Sequence, residues 1–162
     1  MTPRHHRTMI IAAALAFFGA SLFLPAVSYI THVPPDHTAG HMATAPGWFF
    51  AGFGWVGVIS LQSAAMGWLA NLTFFATIFC YAEGRHVRSM ILSGMSILIA
   101  IFFFHLSVSE PMPVLFSGVG DVMNRPKALI GFYVWIAAFV TFLLGSWVSV
   151  SKQASANAHT DQ

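Results

Sequence analysis

Apolar residues along this chain gather into four long runs separated by more polar connections of 18, 6 and 20 residues. The first runs from Thr8 to Tyr29, the second from Trp48 to Ala82, the third from Ser89 to Ser107 and the fourth from Ala128 to Val150, and none has Asp, Glu, Lys or Arg in its interior. A hydrocarbon layer about 30 Å thick is crossed by roughly 20 helical residues, and inside it the backbone must satisfy its own hydrogen bonds, which selects helix. The pattern predicts an all-α, polytopic membrane protein: one domain over residues 1–150 with four transmembrane helices at about 8–29, 60–82, 89–107 and 128–150. The polar stretch 151–162, "SKQASANAHTDQ", reads as a disordered cytoplasmic tail.

The second run is too long for one crossing. As a single helix at about 1.5 Å per residue it would reach roughly 52 Å. Gly52, Gly54 and Gly57 in "FAGFGWVG" offer a place for a bend or an unwound turn. Trp48 to about Gly57 is therefore expected to form an extra segment at the membrane interface, anchored by Trp48 and Trp55, with the span proper starting near Ser60.

Small residues recur at helical spacing inside the runs, and in lipid such faces let helices approach closely. Ala12, Ala16 and Ala20 mark one in the first span, Ser89, Ser93, Ser96 and Ala100 one in the third, and Ala137, Thr141, Gly145 and Ser149 one in the fourth. In the second, Ser60, Ala64, Gly67 and Asn71 fall on one side. Asn71, within "MGWLANLTFF", has two readings: a hydrogen-bonding pin to a neighbouring helix, or a ligand contact lining a polar path.

Composition closes off other classes. Charged residues are 7% of the chain and mean hydropathy is +0.72, against about 25% charged in a soluble domain, so the lipid bilayer is the expected partner. The formal net charge is +2, but the seven Lys and Arg form no patch, which argues against a nucleic-acid partner. Basic residues prefer the cytoplasmic side. Arg4, Arg7, Arg85, Arg88 and Lys152 would lie inside, and only Arg125 and Lys127 outside, if both termini are cytoplasmic. "MTPRHHR" before an apolar stretch ending in "PAVS" also fits a secretory signal cut after Ser28, yet Thr8 to Leu24 outruns the usual h-region of about 7–15 residues. A retained helix is the expectation.

Four short motifs occur in order: "GW" at Gly47 and Trp48, "GWVG" at Gly54 to Gly57, "WLAN" at Trp68 to Asn71, and "GFYVWIAAF" at Gly131 to Phe139. Together they resemble a group of small uncharacterised bacterial membrane proteins with four predicted spans, which read G-W, G-W-x-G, W-x-A-N and G-Y-Y-x-W-x-A. The resemblance touches about half the chain and implies a bacterial inner-membrane location with no known activity. This chain departs from that pattern with Phe132 in place of tyrosine, with Leu129 and Ile130 in place of Pro-Gly, and with a longer first loop that carries histidines.

That loop, "HVPPDHTAGHM", holds the sharpest polar cluster: His32, Asp36, His37 and His41. Imidazole and carboxylate suit Zn²⁺ or Cu²⁺ when they converge, although Pro34, Pro35 and Gly40 make the segment irregular, and a solvated loop is the plainer reading. Met42, Met112 and Met123 would sit on the same side and would widen the donor set toward copper. A bis-histidine haem has no support, because His105 has no partner histidine in another run. Cys80 is the only cysteine, so a disulfide or a thiol redox pair within the chain is excluded. Neither G-x-S-x-G nor a phosphate-cradling Gly-rich motif is present. The expectation is a non-enzymatic protein without a cofactor, serving as an accessory or oligomeric interaction component that contacts copies of itself or another membrane protein. Two alternatives stand beside it: a small oligomeric transporter or channel with Asn71 on its path, and an outer-face metal-binding protein using the His32/His37/His41 loop.

Overall fold

The computed structural model describes residues 3–32, 41–59, 63–109, 112–113 and 122–160. Its α-helices are α1 (Pro3–Phe23), α2 (Gly47–Ile59), α3 (Leu69–Ala82), α4 (His86–Ser109) and α5 (Ile130–Thr160), and a 3-10 helix, Ser63–Trp68, leads into α3. Three helical stretches, His5–Phe23, His86–Val108 and Ile130–Ser155, are long and apolar enough to cross a membrane, which marks a membrane-embedded protein. Gly47–Ile59 and Met66–Ala82 are apolar but shorter.

The all-α expectation needs correction. The chain also forms a four-stranded antiparallel sheet from β1 (Pro25–His32), β2 (His41–Pro46), β3 (Met112–Pro113) and β4 (Val122–Ala128), in the order β2-β1-β4-β3. The first apolar run was expected to stay helical to Tyr29, but the helix stops at Phe23. Pro25 lacks an N–H and biases Leu24 toward extended backbone. Val27, Tyr29, Ile30 and Thr31 are the β-branched and aromatic types that suit a pleated surface. In register, Val27 stands opposite Ala45 on one side and Ala128 on the other, and Ser28 opposite Thr44 and Lys127. Ser28 thus lies within the central strand, and a cut after it would take Val27 and Ser28 out of both pairings.

Two backbone bonds weld the sheet to the bundle. Gly47 N–H donates to the Leu24 carbonyl at 3.0 Å, and Leu129 N–H donates to the Ala26 carbonyl at 2.9 Å. Glycine is needed where the helices start this close to β1: a Cβ on Gly47 would collide with the Ser21 carbonyl, and one on Gly131 would stand 2.8 Å from the Pro25 carbonyl oxygen.

The segment expected at the interface forms a helix, but Gly52 and Gly54 do not break it; α2 runs through both. Gly54 instead makes room for Trp68, since a Cβ there would sit 2.7 Å from the indole. Trp68 Nε1 donates to the Ala51 carbonyl at 2.9 Å, tying α2 to the 3-10 turn. At its far end α5 continues through 151–160, where a disordered tail was expected. Alanine, glutamine and lysine in that stretch are good helix formers that extend an already nucleated helix.

Within the bundle α5 lies between α1 and α4, and α3 packs on α4. Phe74 is the hub. Its ring stacks on Phe18 of α1 at 4.9 Å and meets Phe139 and Phe142 of α5 at 5.3 and 5.6 Å. The serine stripe of α4 is buried as expected, with Ser89, Ser93, Ser96 and Ala100 all facing inward. The alanine face of α1 is not: Ala12, Ala16 and Ala20 are exposed, while Ala14 and Ser21 are buried and Phe18 packs against the core. In α5 the buried positions include Ala138, Phe139, Phe142, Ser146 and, from the expected stripe, Gly145, which Ile10 of α1 approaches; Ala137, Thr141 and Ser149 are half-buried. Small side chains permit a close approach but do not require one, and stacking aromatic rings wins the interior here.

Truncating a buried phenyl leaves a cavity that costs about 3–5 kcal/mol. Phe74→Ala is expected to lower the unfolding free energy measured in a denaturant titration in detergent by an amount in that range. Phe79→Ala, at a position 70% exposed, is expected to change it little.

Candidate functional site

The polar residues of the bundle interior form a ladder between α3, α4 and α5. Asn71 is buried near the start of α3, and its Oδ1 accepts a hydrogen bond from Trp135 Nε1 of α5 at 3.0 Å. A buried indole N–H needs an acceptor, and an amide oxygen on the facing helix supplies one. Below this pair, Thr73 and Ser96 share a hydroxyl–hydroxyl bond of 2.7 Å between α3 and α4. Ser146 of α5 donates to Ser89 of α4 at 2.9 Å.

Hydroxyls are tolerated at these depths because they also bond to their own helices. Thr77 donates to the Thr73 carbonyl at 2.8 Å, and Ser93 to that of Ser89 at 2.8 Å. None of these bonds involves an ionisable group, so the ladder fixes helix register and rotation and carries no charge.

The end of the bundle away from the sheet is different. There α3 closes with two bonds, Arg85 N–H to the Cys80 carbonyl at 2.9 Å and Gly84 N–H to the Tyr81 carbonyl at 3.0 Å, and Gly84 has φ +81°. This is the 6→1 and 5→2 arrangement of a Schellman cap, which places a left-handed residue just past the helix and favours glycine. Tyr81 and His86 flank the turn and are buried, with ring centroids 5.1 Å apart. The Tyr81 hydroxyl and His86 Nδ1 have no hydrogen-bond partner among the described residues.

The residues singled out from sequence meet different fates. Asn71 sits among α3, α4 and α5, and Gly67 approaches Phe103 of α4, where a Cβ would stand 3.4 Å from that side chain's own Cβ. Ser60 lies outside the described residues, and Ala64 is described only as part of the 3-10 backbone. Of the loop cluster, Asp36 and His37 lie outside the described residues. His32 and His41 are described as strand backbone, standing opposite Val122 and beside Thr31 in register. Among the described residues no group of three or more His, Cys, Asp or Glu could hold a metal ion.

Trp135, Thr73, Tyr81 and His86 escaped the sequence reading. Thr73 and Thr77 do carry a signal: two hydroxyls four apart in the second apolar run answer the serine stripe of the third. Trp135 carries none, because its partner is 64 positions away. Compared with protein families, curated proteins and solved structures, the chain matches none.

A helix-to-helix hydrogen bond in a membrane protein contributes on the order of 0.6–2 kcal/mol. Asn71→Leu and Trp135→Phe are each expected to lose about that much, and the double variant little more than the larger single loss. Fully additive losses in the unfolding titration would show that the two side chains do not act as a pair.

Proposed function

We propose that this protein is a four-span inner-membrane component that works through contacts on its surface, as an accessory or self-associating partner rather than as a catalyst. The observation that carries the reading is the spent interior. Asn71, Thr73, Ser89, Ser96, Trp135 and Ser146 bond to one another across helices. A transporter path through Asn71 would need its amide open to a solute, but its Oδ1 is engaged and the residue is 7% exposed, which favours the pin. The lipid-facing or partner-facing surface is left to do the work. On α4 it presents Ile91, Met95, Leu98 and Phe102, all exposed and on neighbouring turns.

The fourth crossing is the 3-10 turn together with α3. Six 3-10 residues at about 2.0 Å each and fourteen α-helical residues at about 1.5 Å each give about 33 Å, comparable with a hydrocarbon core of about 30 Å. The 3-10 stretch supports the span by reaching farther per residue. Both termini then lie on the cytoplasmic side with Arg7, Arg85 and Arg88, and the sheet lies outside. The resemblance to small four-span bacterial proteins is in keeping with this arrangement.

On a Cys80→Ala background, Thr44→Cys and Ser151→Cys both place a thiol at an exposed position. A membrane-impermeant maleimide added to intact cells is expected to label the first and to reach the second only after permeabilisation. Labelling of both from one side would mean that α3 does not cross. Native mass spectrometry after extraction in mild detergent is expected to show a protein–protein assembly, and a pure monomer would refute the interaction reading.

A further inference from the structure

The donors left over at the α3–α4 turn have a common need. Arg7 of α1 lays its guanidinium against this turn: a Cβ on Gly84 would stand 3.0 Å from both terminal nitrogens. It has no ion pair among the described residues. Glu83 is the only carboxylate side chain among the described residues, and it is engaged by Arg85 at 3.0 Å. Tyr81 is fully buried and His86 is 4% exposed, yet the tyrosine hydroxyl and His86 Nδ1 have no partner among the described residues.

A guanidinium and a phenol hydroxyl are donors, and imidazole Nδ1 is one in one of its tautomers. Leaving the tyrosine hydroxyl and the imidazole Nδ1 buried and unbonded costs about 1–3 kcal/mol each. What would satisfy all three is a compact group with several acceptor oxygens and negative charge. Phosphate has that geometry, and arginine recognises it through two parallel N–H bonds.

We propose that the end of the bundle formed by Arg7, Tyr81 and His86 binds a phosphate-bearing anion, either the headgroup of an anionic phospholipid or a free phosphate. Gly84 contributes by having no side chain to hold Arg7 off the turn. The site goes beyond the interaction reading and does not depend on it, because Arg7, Tyr81 and His86 all adjoin the α3–α4 turn whether or not the protein self-associates.

The test uses the full chain in detergent, depleted of native lipid, with three probes: short-chain phosphatidylglycerol, inorganic phosphate and a short-chain diacylglycerol lacking phosphate. Native mass spectrometry and calorimetric titration read the binding. Wild type is expected to bind at least one phosphate-bearing probe. Arg7→Gln should weaken that binding at least tenfold, and Tyr81→Phe several-fold without a fall in unfolding midpoint. Arg88→Gln, which removes an exposed charge, should leave it unchanged. Preference for the phospholipid identifies a headgroup site, and saturation by inorganic phosphate alone identifies a soluble ligand. Equal binding of the phosphate-free lipid, equal loss in Arg88→Gln, or no loss in Arg7→Gln would overturn the proposal. Should Arg7→Gln fail to accumulate, Tyr81→Phe decides alone, since it keeps the ring and removes only the hydroxyl, and unchanged affinity would refute the site.

Discussion

Hydrogen-bond satisfaction in an apolar surrounding is the constraint on which this structure turns. A helix meets it along its backbone, but every polar side chain in the bundle has to find a separate answer. Most hydroxyls bond to a carbonyl one turn back, which is cheap and local. Asn71 and Trp135 cannot do so, and their mutual bond at 3.0 Å is what ties α3 to α5. Thr73 with Ser96 and Ser146 with Ser89 extend the same logic to α4. Helix rotation is therefore set by a few directional bonds, with the aromatic cluster around Phe74 filling the space that they define.

The sheet solves the same problem by another route. The chain leaves α1 at Phe23 and becomes a strand almost at once, so its backbone groups need lateral partners. β2 and β4 supply them from both sides. Because Leu24 and Ala26 also accept from Gly47 and Leu129, the segment just before and inside β1 sets where α2 and α5 begin. The glycines of the "GW" and "GFY" motifs follow from that crowding: Gly47 and Gly131 sit where helix starts press against the Ser21 and Pro25 carbonyls.

Much of this was legible in the sequence. Runs of apolar residues without charge identify helices for lipid, and the buried serine stripe of α4 follows from its spacing. The sheet was missed because "PAVSYITH" is apolar enough to pass for the end of a span, and hydropathy does not distinguish a strand from a helix. Pro25 and the β-branched residues after it were the signal. The face of α1 was misjudged for a different reason: in lipid an exposed alanine costs nothing, so a row of small residues does not by itself say which side is buried. Asn71 was placed on the correct helix, but its partner depends on how α5 is rotated, which no local pattern encodes.

The two ends of the bundle are chemically unequal, and the inequality follows from how each is closed. At one end strand pairing satisfies the backbone groups of β1 from both sides. At the other, a tight Schellman turn satisfies its carbonyls internally and brings Tyr81 and His86 together without giving their polar atoms an acceptor. Acceptors at that end are scarce because the chain carries only five acidic residues, and Glu83 is held by Arg85. A bundle poor in carboxylates and closed by a basic turn has surplus donors there as a matter of composition, and burial converts that surplus into a demand for a negatively charged group from outside the chain.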